Sequence, residues 1–231
     1  MTAAPEAVRE DGRTGATIAI LDYGMGNLRS VEKALEHVGA VAPVTADPDV
    51  VRAADGLILP GVGAFPEAMR RIREADFDVL IGEMLAAAKP VLGICLGMQL
   101  LFETSSEHEG AWGLGLLQGR VDVLDAGDFK VPQLGWNEVR WLRSSPLMAG
   151  IPNPGYFYFA NSLSVRAVDA DDVLGESDYG APFVAVVEKP PLYGAQFHPE
   201  KSSTHGLRML ENFARICVTA RDETRRLGNS A

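Results

Sequence analysis

The sequence predicts an α/β fold: a mostly parallel, doubly wound sheet in its first half, with antiparallel strands added in its second. Three observations predict it. Up to Phe102, apolar runs of strand type alternate with helical spacings, the pattern of parallel strand–helix–strand units. From Leu114 to Tyr193, short apolar runs follow one another with few helical periods between them, which reads as antiparallel strands. Glycine-rich loops follow the strands that end near Leu59 and Cys95, at the carboxyl ends where sites in wound sheets lie.

Residues 1–15 are polar and aperiodic and are expected to form a disordered lead-in. The first strand, Thr17 to Leu21, runs into the loop Asp22-Tyr23-Gly24-Met25-Gly26-Asn27. A helix follows from Leu28 to about His37, with Gly39 past its end. The loop is an incomplete dinucleotide fingerprint: Arg29 stands where the third glycine belongs, and no acidic residue follows at the required interval. It is expected to pack beside a site or to face a partner. Val41–Thr45 and Asp55–Leu59 read as the second and third strands, the latter stopped by Pro60. Gly61 and Gly63 then free the backbone to present N–H groups, as an oxyanion hole requires; an ordinary strand-to-helix turn is the alternative. Pro66 to Ala88 reads as one helix, with Met69, Ile72, Phe77, Leu80, Ile81 and Leu85 as its apolar stripe.

Lys89 to Phe102 organises the rest. An apolar strand turns through Gly93 and Gly97 around Cys95 and continues at helical spacing through Leu96, Gln99, Leu100 and Glu103. This is the pattern of a nucleophile elbow, with helix amides aimed at a sulfur anion. A thiol needs a base. Gln196-Phe197-His198-Pro199-Glu200 offers one after the last strand. Pro199 biases His198 toward extended angles, and residues two apart in extended chain face the same way. Cys95, His198 and Glu200 are thus the parts of a nucleophilic triad. His37, His108 and His205 lie in helical or polar loop contexts.

Further strands are expected at Arg120–Leu124, Glu138–Trp141, Tyr156–Ala160, Ser164–Val168, Val184–Val187 and Leu192–Phe197. No Gly/Ser-rich linker or internal repeat divides the chain, so residues 16–220 are expected to form one domain, with 221–231 a frayed polar tail.

Composition narrows the function. Twenty-one basic against thirty-one acidic residues give a net charge of −10, which disfavours a nucleic-acid surface. No apolar run reaches ~18 residues, so no membrane span is expected. The N-terminus lacks a secretory pattern, and two cysteines do not make a disulfide scaffold; a cytoplasmic location is expected. Cys217 falls in the helical apolar stripe of Leu207, Leu210, Phe213 and Ala214 and reads as core. No Cys/His cluster has ligand spacing, so neither a metal nor a cofactor is expected.

Gly93-Ile94-Cys95-Leu96-Gly97-Met98-Gln99 together with His198-Pro199-Glu200 resembles the class I, triad-type glutamine amidotransferases. Asp22 to Val31, Pro60 to Phe65, Pro132-Gln133-Leu134-Gly135-Trp136-Asn137 and Phe197 to Ser202 resemble, more narrowly, the glutaminase subunits of imidazole glycerol phosphate synthase, of histidine biosynthesis. The resemblance implies a three-layer αβα fold and hydrolysis of L-glutamine to glutamate and ammonia through a thioester on Cys95. His198 would move the proton and Glu200 would orient the imidazole. Backbone N–H groups of Leu96 and of the Gly61–Gly63 loop would hold the oxyanion. Gln99, Glu107 and the backbone near Asn161, Ser162 and Leu163 would recognise glutamine. The segment Tyr158-Phe159-Ala160-Asn161-Ser162-Leu163 departs from the family's common Tyr-Phe-Val-His-Ser-Tyr, which removes two side chains usually found there.

The resemblance also implies a heterodimer with a separate (β/α)₈ cyclase subunit that takes the ammonia, contacted through the face bearing Pro60–Phe65, Trp136, Tyr158 and Lys201. Trp136 could equally be core. An amidotransferase serving anthranilate, aminodeoxychorismate or pyridoxal phosphate synthesis is the alternative within the class, and a non-catalytic module with this fold is the alternative outside it.

Overall fold

The computed structural model describes residues 14–107, 111–167 and 169–228. Most of the expected lead-in, His108 and the last three residues lie outside them. The strands among the described residues form one sheet, built on five parallel strands: β2 (Val44–Thr45), β1 (Ile18–Leu21), β3 (Gly56–Gly61), β4 (Val91–Cys95) and β13 (Leu192–Ala195). The sheet continues antiparallel through β12 (Pro182–Lys189), β10 (Leu163–Ala167) and β7 (Leu117–Val123). It ends on β5 (Phe102–Ser105), parallel to β7, and β6 (Ala111–Trp112). A second arm leaves β12 through β11 (Val173–Asp178) to β8 (Gln133–Trp141) and β9 (Gly155–Asn161).

Alternate residues of the parallel strands feed two cores, which makes three layers. Ile18, Ile20, Ile58, Leu92 and Ile94 pack with Val31 and Leu35 of α1 (Leu28–His37) and with Met209, Leu210, Phe213 and Cys217 of α6 (Ser203–Gly228). Ala19, Leu21, Leu57, Leu59 and Val91 pack on the other face with Met69 and Ile72 of α3 (Phe65–Glu74) and Leu80 and Ile81 of α4 (Phe77–Ala86). Cys217 is core as expected, and complete burial pushes its thiol pKa well up.

The structure differs from the sequence reading at several points. β13, expected to be antiparallel, lies parallel to β4 and so joins the parallel core. Strand β3 runs through Pro60 to Gly61. Its pairing with β1 ends at Ile58, so Pro60 has no ladder partner on that side and its missing N–H costs nothing there. The helix expected over 66–88 is two helices broken at Asp76, whose φ is 54°. The apolar spacing carries the reason: Ile72 and Phe77 are five apart, so the two stripes cannot share one face. A helix not read from the sequence, α2 (Pro48–Ala53), is started by the Asp47 carboxylate accepting from the Asp49 amide at 2.9 Å, with Pro48 at its first position.

The helix after Cys95 is one turn only, α5 (Leu96–Gln99), and Glu103 lies in a strand. Leu100 and Leu101 give their carbonyls to the amides of Leu114 and Leu116 instead of continuing the helix. The tail expected to fray is helical to Gly228. Val218 is buried, and Arg221 donates to the Gly15 carbonyl at 3.1 Å and to Asp55 at 3.2 Å, which holds the end of α6 against the first strand. Among the described residues no helix is long and apolar enough to cross a membrane.

Candidate active site

Cys95 ends β4 and precedes α5 with φ 55° and ψ −113°, a strained conformation for a side-chain-bearing residue. The two glycines around it explain how the turn closes. A Cβ on Gly93 would lie 2.6 Å from the Gly97 carbonyl oxygen, and one on Gly97 would overlap the Leu59 carbonyl. Gly97→Ala should therefore cost about 3 kcal/mol or more, because the obstacle is backbone that cannot rotate away. Urea unfolding measures it; a wild-type midpoint would refute the packing argument.

The parallel pairing of β13 with β4 sets Ala195 opposite Ile94, so the chain leaving β13 passes beside Cys95. His198 lies three residues on, at φ −99° and ψ 95°, the extended form that Pro199 favours. Its Nδ1 is 2.9 Å from Glu200 Oε1, with the two side chains only 4% and 1% exposed. Glu200 thus holds one ring nitrogen, leaving Nε2 for proton exchange. Burial pulls the His198 pKa down, but the Cys95 sulfur and the Glu200 carboxylate outweigh it and raise it to about 9. The imidazole is charged at neutral pH. The loop is pinned from behind: His198 N donates to the Tyr158 carbonyl at 2.9 Å, and the Ser202 hydroxyl donates to the His198 carbonyl at 2.6 Å while accepting from Tyr158 N at 2.9 Å.

Gly61 pairs with Cys95 in register, so the Gly61–Gly63 loop begins beside the sulfur. Gly63 takes φ 97°, open to glycine and strained for other residues. Glu107 accepts from the Phe65 amide at 2.6 Å, tying it to the first turn of α3 beyond that loop. The first loop does pack beside this site. The buried Tyr23 hydroxyl donates to the Pro60 carbonyl at 2.7 Å, and burial, with Cys95 nearby, raises its pKa so that it stays neutral.

Of the residues expected to recognise glutamine, Gln99 and Asn161 converge. Gln99 Nε2 donates to the Leu163 carbonyl at 3.3 Å, and Asn161 Nδ2 donates to the same oxygen at 3.1 Å. Leu96, directly after Cys95, is buried in α5; Ser162 is exposed, its carbonyl accepting from the Leu124 amide at 2.9 Å. Sequence reasoning missed Gln196, whose Nε2 lies 3.9 Å from Cys95 Sγ. Its position two residues before His198 in extended chain was the available signal.

Trp136, Tyr158 and Lys201 share one outward face. Trp136 and Tyr158 are register partners on β8 and β9 with ring centroids 6.3 Å apart, and Lys201 Nζ stands 5.8 Å from the Tyr158 ring centroid. Trp136 is 55% exposed and its strand neighbour Leu134 67%, so this tryptophan is surface, not core.

A strained cysteine at the end of a parallel strand, beside a histidine–glutamate pair, is an arrangement for acyl transfer. The model of the family "Glutamine amidotransferase class-I" matches residues 19–217. The chain belongs to that family. An imidazole glycerol phosphate synthase subunit HisH from Bacillus cereus is 48% identical to this amidotransferase over 196 residues, which cover 85% of this chain and 93% of the relative. The same subunit from Desulfitobacterium hafniense is 49% identical over 198 residues, 86% of this chain and 93% of the relative. Solved structures agree in fold. The structure of PurLQS from Thermotoga maritima superposes with TM-score 0.69 at 19% identity, covering 86% of this amidotransferase and 97% of that chain. A crystal structure of a glutamine amidotransferase gives TM-score 0.69 at 17% identity, covering 87% and 98%.

Proposed function

We propose that Cys95, His198 and Glu200 are the triad with which this chain, the glutaminase subunit of an imidazole glycerol phosphate synthase in histidine biosynthesis, hydrolyses L-glutamine. The single observation that carries this reading is the strained Cys95 turn set beside the His198–Glu200 pair at 2.9 Å. Cys95 Sγ attacks the carboxamide carbon of glutamine. The tetrahedral oxyanion is held by the Leu96 amide and by amides of the Gly61–Gly63 loop, a donor set of which each member is worth roughly 10²–10³ in rate. His198 Nε2 delivers its proton to the leaving nitrogen, ammonia departs, and a glutamyl thioester remains. His198, now neutral, takes a proton from water, whose oxygen attacks the thioester and releases glutamate. Glu200 keeps the imidazole oriented and supports its charge in both steps. Gln99 and Asn161, which meet at the Leu163 carbonyl, receive the amino-acid end of glutamine together with Glu107 and the backbone at Ser162. No cofactor enters the chemistry.

Ammonia released to neutral water is protonated and ceases to be a nucleophile, so the product needs a dry path to its acceptor. The partner is a (β/α)₈ cyclase subunit that forms imidazole glycerol phosphate and aminoimidazole carboxamide ribonucleotide, in a cytoplasmic heterodimer. It seats on the face of Leu134, Trp136, Tyr158 and Lys201, where exposed aromatic and apolar side chains lie close to strand β9, whose Tyr158 carbonyl holds the His198 amide. Reconstitution with such a cyclase tests the function: glutamine should support synthesis in the pair. An amidotransferase that co-purified with an anthranilate or aminodeoxychorismate synthase instead would overturn it. Trp136→Glu should weaken the pairing at least about 100-fold, as loss of a central aromatic anchor does. Calorimetric titration against the cyclase measures it, and unaltered affinity would move the interface elsewhere.

A further inference from the structure

We propose that Gln196 is a positioning residue of this active site: its carboxamide holds the Cys95 sulfur and the Gln99 side chain in one fixed relation. The proposal rests on Cys95 being the nucleophile.

Gln196 is the first residue past β13 and is fully buried. Its backbone is fixed, because its amide donates to the Ala185 carbonyl at 2.9 Å. Its side chain has two polar ends and both are engaged. Oε1 accepts from Gln99 Nε2 at 3.0 Å, and Nε2 faces Cys95 Sγ at 3.9 Å, a distance at which an N–H reaches a large, polarisable sulfur. Gln99 uses its other N–H on the Leu163 carbonyl, which also accepts from Asn161. This fixes the sense of the Gln196 amide. A flipped amide would set two NH₂ groups against each other and present an oxygen to the sulfur. The N–H therefore points at sulfur, where it favours negative charge on that atom and, after acyl transfer, keeps the thioester sulfur in place.

The network runs without interruption from Asn161 through the Leu163 carbonyl, Gln99 and Gln196 to Cys95. Gln99 and Asn161 belong to the region that receives glutamine, so one buried amide ties substrate recognition to the reacting atom. A residue retained only for volume would not need either polar end, and buried carboxamides are costly unless both ends are met. The titratable groups around the sulfur are His198 and Tyr23, with Glu200 behind His198. Gln196 adds an uncharged donor that none of these supplies.

The test uses Gln196→Met, which keeps length and volume, and Gln196→Leu, both in complex with the cyclase. Two quantities are read: the pH midpoint of Cys95 alkylation by iodoacetamide, and kcat and KM for glutamine hydrolysis. Cys217 is fully buried and outside the reagent's reach, and Cys95→Ala supplies the blank. The expected result is a midpoint moved to higher pH in both variants, with kcat down about tenfold or more and ammonia-dependent synthesis intact. Because Met fills the same space, a purely structural role predicts no movement of the midpoint. An unmoved midpoint in a folded Gln196→Met, or a wild-type kcat in it, overturns the proposal while leaving the triad standing. Glutamine hydrolysis surviving in Cys95→Ala would overturn the triad and this proposal with it.

Discussion

A Cys95→Ala chain paired with its cyclase loses glutamine-dependent synthesis by about 10⁴-fold or more and keeps ammonia-dependent synthesis. The size follows from what is removed. Without sulfur there is no thioester route, and the remaining oxyanion donors act only on direct attack by water, which is slow on an unactivated amide. The selectivity follows from position. Cys95 is buried at the carboxyl end of β4, and the substitution leaves Gly93, Gly97 and the packing of α5 unchanged. Alanine is no more strained than cysteine at φ 55°, so the fold is retained. Two assays separate the outcomes: glutamate release from glutamine, and cyclase turnover on added ammonium salt at alkaline pH. Loss of both would mean that the substitution damaged the complex. Survival of glutamate release would remove Cys95 from the chemistry.

The parts of this site that lie in short stretches of chain were legible in the sequence. Gly93-Ile94-Cys95-Leu96-Gly97 carries its own reason, since two backbone segments must touch for the turn to close. His198 and Glu200 are two residues apart beside a proline, and extended chain at that spacing puts both on one side. The strand–helix alternation up to Cys95 likewise pointed to the parallel core, because each unit's period is local.

What the sequence did not disclose depends on which strands become neighbours. Nothing in Leu192–Ala195 says that it runs parallel to β4, yet that pairing brings Gln196 and His198 to the sulfur. The partners of Gln99 lie 64 and 97 residues away, so its hydrogen bonds could not be read from its surroundings in the chain. The single turn of α5 has a similar origin. Its residues would continue as helix on propensity, but Leu100 and Leu101 are drawn into bonds with Leu114 and Leu116. Tertiary demand overrides a local preference of a few tenths of a kcal/mol per residue.

Replacing His198 with asparagine should lower glutamine hydrolysis by about 10³-fold, within the range for loss of a positioned acid–base group. The pH dependence then separates its role from simple packing. In the folded protein its pKa is raised from 6.5 to about 9, against the pull of burial, by Cys95 and Glu200. Wild-type hydrolysis should therefore decline as pH rises through about 9, where the imidazolium that protonates the leaving amide nitrogen is lost. Glu200→Gln removes one of the two groups that raise the pKa, so the decline should begin at lower pH.

Stability follows the same sign. A folded pKa above the unfolded one stabilises fully below pH 6.5 and loses that contribution as pH rises through about 9, with a magnitude on the order of 3 kcal/mol. Urea unfolding of wild type and His198→Asn at pH 6 and pH 10 reads it: the gap between the two proteins should narrow at the higher pH. A gap that is the same at both pH values, together with an alkaline limb that Glu200→Gln leaves in place, would show that the Cys95–His198–Glu200 contacts do not support the charged imidazole.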